Sequence, residues 1–216
     1  MNRIHFTNAM SDCNDKLLKM GVVVEETLKT AIRALTDQDE ETAERIIRDD
    51  TVINGLETEL FDTVTTLLAT EQPVAGDLRH LIGAVRIITD LERAGDYAVH
   101  IAKTTIRLKG EKYLRPLTVL PRMAETAISM LAQSIEAFMH KDVKKARETA
   151  EMDEVIDKGL EEMFSTLLPH MKAYPEDVSQ AMELLFLARF LERLGDHVVN
   201  ICEWVVYTNT GEHVEL

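Results

Sequence analysis

The sequence predicts an all-α protein built as two tandem antiparallel three-helix bundles related by an internal repeat. Three observations carry that expectation. The 216 residues include only 9 Gly, 5 Pro, 1 Trp, 4 Tyr and 6 Phe, while Leu, Ala, Met, Glu and Thr fill long stretches without the turn punctuation that a sheet needs. The segment Leu91-Glu92-Arg93-Ala94-Gly95-Asp96-Tyr97-Ala98-Val99-His100-Ile101 returns 100 positions later as Leu191-Glu192-Arg193-Leu194-Gly195-Asp196-His197-Val198-Val199-Asn200-Ile201, with 7 of 11 residues identical. Apolar residues elsewhere recur with the 3.6-residue period of a helix.

In the first copy, expected to span residues 1–112, Leu17, Met20, Val24, Leu28, Ile32 and Leu35 set out a helix over roughly residues 7–35. Asp39 is placed to cap a second helix that turns Ile46, Ile53, Leu56, Leu60, Val64 and Leu67 inward. Pro73 breaks the chain before a third helix over about residues 74–108, and Gly110 closes the copy. The second copy, residues 113–216, reads as helices over about 118–139, 142–168 and 175–207. All five prolines (Pro73, Pro116, Pro121, Pro169 and Pro175) fall at or near these expected boundaries. Upstream of the doubled motif the copies align at an offset of 103, pairing Asp50-Thr51-Val52-Ile53-Asn54 with Asp153-Glu154-Val155-Ile156-Asp157. The change of offset by about one helical turn leaves the buried face in register.

Charge narrows the function. With 24 Lys+Arg against 38 Asp+Glu the formal net charge is −14, the reverse of the cationic surplus that phosphate backbones demand, so no nucleic-acid partner is expected. The amino terminus lacks the apolar run of a signal peptide. The richest apolar stretch, residues 181–194, is broken by Glu183, Arg189, Glu192 and Arg193, so membrane contact is expected only through partners. Cys13 and Cys202 fit reduced thiols in a cytoplasm, and the ten methionines fit core filling.

Glu92/Asp96 and Glu192/Asp196 are each four apart, which puts both acids on one helix face. Asp153/Asp157 repeats that spacing on the second helix of copy two, and its counterpart in copy one is Asp50/Asn54, where an amide replaces an acid. Such pairs meeting on adjacent helices offer hard cations an all-oxygen site. They also suit a solvated acidic face whose field Arg93 and Arg193 neutralise, and spacing leaves both readings open. Gly95 and Gly195, mid-helix at matching positions where Gly costs about 1 kcal/mol against Ala, signal a close approach by either a neighbouring helix or a ligand cluster. His100 and His197 have no imidazole at the matching positions of the other copy and read as local hydrogen-bonding groups. No phosphate loop, nucleophile elbow, His-Glu-x-x-His or Glu-x-x-His motif occurs, so no enzyme is expected.

The doubled Leu-Glu-Arg-x-Gly-Asp motif, with Gln72-Pro73-Val74-Ala75-Gly76-Asp77-Leu78-Arg79 and Asn200-Ile201-Cys202-Glu203, resembles the PhoU family, the accessory regulators of bacterial phosphate-specific transport. The resemblance implies a cytoplasmic, often dimeric, non-enzymatic protein that represses phosphate uptake and the phosphate-starvation response. It would do so by linking the ATPase subunit of the phosphate ABC transporter to a sensor histidine kinase. It also implies multinuclear metal clusters, iron or zinc, with Mn or Mg as further options. By position, Asp153, Asp157, Glu192 and Asp196 would form one complete site, and Asp50, Asn54, Glu92 and Asp96 a second one weakened at Asn54. The competing readings are a carboxylate-cluster metal-dependent hydrolase and a metal-free helical scaffold.

Overall fold

A computed structural model describes residues 3–114 and 118–216, and among these it contains helices and no strand. The first copy is α1 (Arg3–Asp37), α2 (Glu40–Glu71) and α3 (Ala75–Arg107). Asp39 caps α2 as expected, its side chain accepting from the Thr42 N–H at 3.1 Å. The second copy is α4 (Val119–His140), α5 (Val143–Ala150), α6 (Asp153–Ala173), a 3-10 turn (Pro175–Asp177) and α7 (Val178–Thr210). Asp142 repeats the cap at α5, accepting from the Lys145 N–H at 2.9 Å.

Two expectations need correction. The single helix expected over 142–168 is interrupted at Glu151–Met152, where the Met152 N–H reaches back three residues to Thr149 and the Val155 N–H three residues to Met152. Both interrupting residues keep right-handed helical angles, so the axis is disturbed without a turn residue that the sequence could announce. Pro169 lies inside α6 rather than at its end; Pro73 and Pro175 do sit at breaks, Pro121 sits in the first turn of α4, and Pro116 lies outside the described residues.

The two copies share one continuous core. Helix α3 packs on α1, α2 and α7, helix α7 packs on α4, α5 and α6, and α1 also meets α4. Gly21 permits the last contact, because a Cβ there would lie 2.3 Å from Ile135 Cδ1. Asp90 meets His197, Tyr97 meets Phe190, Arg107 meets Glu183, and Gly83 meets Thr208. Numbers therefore rise along α3 as they fall along α7, so the helices are antiparallel and related by a pseudo-twofold near the buried residues Ala94 and Leu194. Both Leu-Glu-Arg-x-Gly-Asp motifs flank that pseudo-axis.

Candidate metal centre

Leu91 and Leu191 are buried, and so are Ala94 and Leu194; these anchors turn the intervening Glu92 and Glu192 toward the neighbouring second helix of each copy. In copy two, α7 presents Glu192 and Asp196 to Asp153 and Asp157 of α6. Burial, then the charges of Asp157, Asp196 and Glu192, push the Asp153 carboxyl up to about 7. Burial, then Asp196, raises both Asp157 and Glu192, although Arg189 partly opposes each shift. An open cleft of about 600 Å³ adjoins the group, lined by Glu151, Asp153, Glu154, Asp157, Asp196 and Asn200.

The glycine is part of this geometry. A Cβ at Gly195 would sit 2.1 Å from Asp153 Oδ1 and 3.1 Å from Ile156 Cδ1, so it is the acid itself that approaches the α7 backbone. At Gly95 the close neighbour is Ile53, whose Cδ1 would lie 2.9 Å away. In both copies the close approach comes from the neighbouring helix, through the apolar Ile53 of α2 in copy one and through the Asp153 carboxylate and Ile156 of α6 in copy two.

Copy one differs in charge as well. The Asn54 amide donates to Asp50 Oδ2 at 3.0 Å, so the substitution turns a repelling acid into a hydrogen-bond donor. Burial, then Asp96, raises the Glu92 carboxyl, and Arg93 opposes the shift. Arg93 bonds Asp96 Oδ2 at 3.1 Å and lies 3.5 Å from Glu92 Oε2. In copy two the matching role does not fall to Arg193: Arg189 reaches Glu192 Oε1 at 2.6 Å. The i,i+3 spacing of Arg189 and Glu192 was the available signal for that pair.

Among the described residues no three His, Cys, Asp or Glu side chains are gathered as a preformed metal cage. The donor chemistry of copy two nevertheless fits a hard cation. Asp153 Oδ1 and Glu192 Oε2 are buried oxygens with no hydrogen-bond partner, an arrangement that is costly unless something positive meets it. His197 is engaged elsewhere, bonding Asp90 across the α3–α7 interface at 2.8 Å, while His100 stacks on Phe190 at 4.6 Å between centroids.

The model of the PhoU domain matches the chain twice, over residues 17–105 and 120–205. A phosphate-specific transport system accessory protein PhoU homolog from Clostridium acetobutylicum is 37% identical over 217 residues, covering 100% of this chain and 99% of its own. The crystal structure of PhoU from Pseudomonas aeruginosa superposes with a TM-score of 0.92 at 30% identity, covering 96% of this chain and 100% of that one. The phosphate transport system regulatory protein PhoU from Streptococcus pneumoniae gives 0.92 at 34% identity, with 98% and 100% covered. With its domain model matched in both halves and its full length shared with these relatives, the chain belongs to the PhoU family.

Proposed function

We propose that this protein is a non-enzymatic regulatory accessory of phosphate transport in the cytoplasm, acting as a homodimer that restrains phosphate uptake and phosphate-starvation genes. It would couple the ATPase subunit of a phosphate ABC transporter to a sensor histidine kinase. Kinship with proteins named for phosphate-specific transport supports the transport link. Deleting the protein should raise transcription of phosphate-starvation genes in phosphate-rich medium, and unchanged transcription would overturn the reading.

The four carboxylates of copy two are proposed to bind divalent or trivalent cations, with iron or zinc as the family expectation and Mn²⁺ or Mg²⁺ as further fits to oxygen donors. The observation that carries this is the pair of unpartnered buried oxygens on Asp153 and Glu192. A cation bound there supplies positive charge that cancels the repulsion among Asp153, Asp157, Glu192 and Asp196. These residues bind it, Gly195 leaves room for Asp153, and Arg189 limits the charge of Glu192. The Asp50, Asn54, Glu92 and Asp96 set binds more weakly, because Asn54 is neutral and Arg93 already occupies Glu92 and Asp96. Asn54→Asp is expected to tighten Mn²⁺ binding to copy one by about tenfold, read by calorimetric titration, since affinity of oxygen sites follows ligand charge. Unchanged affinity would show that copy one does not bind through this set.

A further inference from the structure

The far end of the molecule holds a second polar cleft, about 540 Å³, between the first turns of α1, the start of α3, the end of α7 and Lys141 after α4. Its chemistry emerges on comparison with the matching region of the other copy. There, Gln38 donates to the carbonyls of Leu108 and Glu111 and accepts from the Gly110 N–H. Gln180 accepts from the Leu114 N–H and donates to the Lys112 carbonyl and to Glu111 Oε2. Each amide both donates and accepts, which suits a peptide backbone, and the chain between α3 and α4 fills the slot.

At the repeat-equivalent positions the residues are Lys141 for Gln38 and His80 for Gln180, with Arg79 for Ser179. Gln38 and Lys141 share the same left-handed conformation, φ 52° and 57°, which supports the equivalence. Lysine and arginine only donate, so the slot has changed from one that reads a backbone to one that reads acceptors. The chain after α7 does not fill it. His213 stacks on Tyr207 at 4.3 Å, and the Leu216 N–H donates to Glu203.

Neither Arg79 nor Lys141 has an ion-pair partner among the described residues, and Arg79 Nε is buried with no hydrogen-bond partner. The Arg79 guanidinium lies against Gly211, 3.7 Å from the position of a Cβ there. His80 is fixed by Asn14 at 2.9 Å and by stacking on Phe138 at 4.7 Å. Burial, then Lys141, pushes it down to about 4, so it is neutral near pH 7. Helix α3 begins beside it without a side-chain cap; the Asp77 N–H donates to the Val74 carbonyl at 3.2 Å, which leaves the Ala75 and Gly76 N–H groups for an acceptor. Asp77 is the opposing charge in the cleft.

We infer that this cleft binds an oxyanion of the phosphate class, free or as a small organic phosphate, held by Arg79 and Lys141 at the start of α3. This inference does not rest on the proposed function: residues 80 and 92 lie about 18 Å apart along α3, at ~1.5 Å per residue, so the cleft is separate from the carboxylates.

The test is a titration of the full-length chain, in chelator, with inorganic phosphate, glycerol 3-phosphate and acetate, followed by amide chemical shifts. Shifts should centre on Gly76 to His80 and on Lys141. Arg79→Gln and Lys141→Gln should each weaken phosphate binding by about tenfold, the scale of one charge-assisted hydrogen bond. Lys141→Gln installs the residue that copy one tolerates in the same conformation, so folding is preserved. Asp77→Asn should tighten binding. Tighter binding of glycerol 3-phosphate than of phosphate assigns the site to organic phosphates, and the reverse order assigns it to the free ion. Absence of shifts in the cleft, affinity unchanged in both cation variants, or equal binding of acetate would overturn the inference.

Discussion

Asp153→Asn is expected to stabilise the metal-free protein at pH 8. Asp153 is pushed up to about 7 by burial and by three neighbouring acids, so above that pH the folded chain must hold a charge that the unfolded chain holds at no penalty. A carboxyl protonated more readily in the folded state contributes stability at acid pH, and this is lost as pH rises from near 4 toward 7. Wild type and variant should therefore be similar at pH 4, and the gap should open across that window and level off above it. Discounted for the solvent that still reaches the group, the gap is about 2 kcal/mol, or roughly 4–8 °C in unfolding midpoint for a chain of this size. Melting curves in chelator at several pH values measure it. A variant less stable than wild type at pH 8 would mean that the acids are already compensated.

Leu91→Ala should lower the unfolding midpoint of the whole molecule in one transition. Leu91 is fully buried at the middle of α3, the helix that packs on α1, α2 and α7. Its truncation removes apolar contact and leaves a cavity, costing about 2–5 kcal/mol. Because the core runs unbroken through both copies, the loss is shared by all of it. Calorimetry should show a single endotherm shifted down by roughly 4–20 °C. Two endotherms, with only the first-copy transition displaced, would show that the bundles unfold independently.

The repeat and the apolar period made most of this architecture legible. Asp39 announced its helix because a short acid before an apolar-periodic run has one favoured use. The interruption at Glu151–Met152 was not legible: it contains neither Gly nor Pro and keeps helical angles. Pro169 misled for the opposite reason, since a proline in a helix forfeits one backbone bond yet is tolerated when packing holds the turn.

In the carboxylate centre, spacing identified which acids share a helix face, and the doubled glycine marked where backbones come close. What spacing could not supply was the difference between Gly95, which faces Ile53, and Gly195, which faces Asp153. That depends on how α2 and α6 dock, a matter of tertiary packing. The cationic cleft was invisible for a related reason: Arg79 and His80 come from α3 while Lys141 follows α4, and they stand out only beside Ser179, Gln180 and Gln38, which occupy the equivalent places.

The central claim is that the acids of copy two form a cation site whose repulsion a bound metal relieves. Calorimetric titration of chelator-stripped protein with Mn²⁺, comparing wild type with Glu192→Gln and Glu92→Gln, tests it most directly. Glu192→Gln should remove the tighter binding event, whereas Glu92→Gln should remove only the weaker one. Identical titrations for all three proteins, or no binding to wild type, would contradict it.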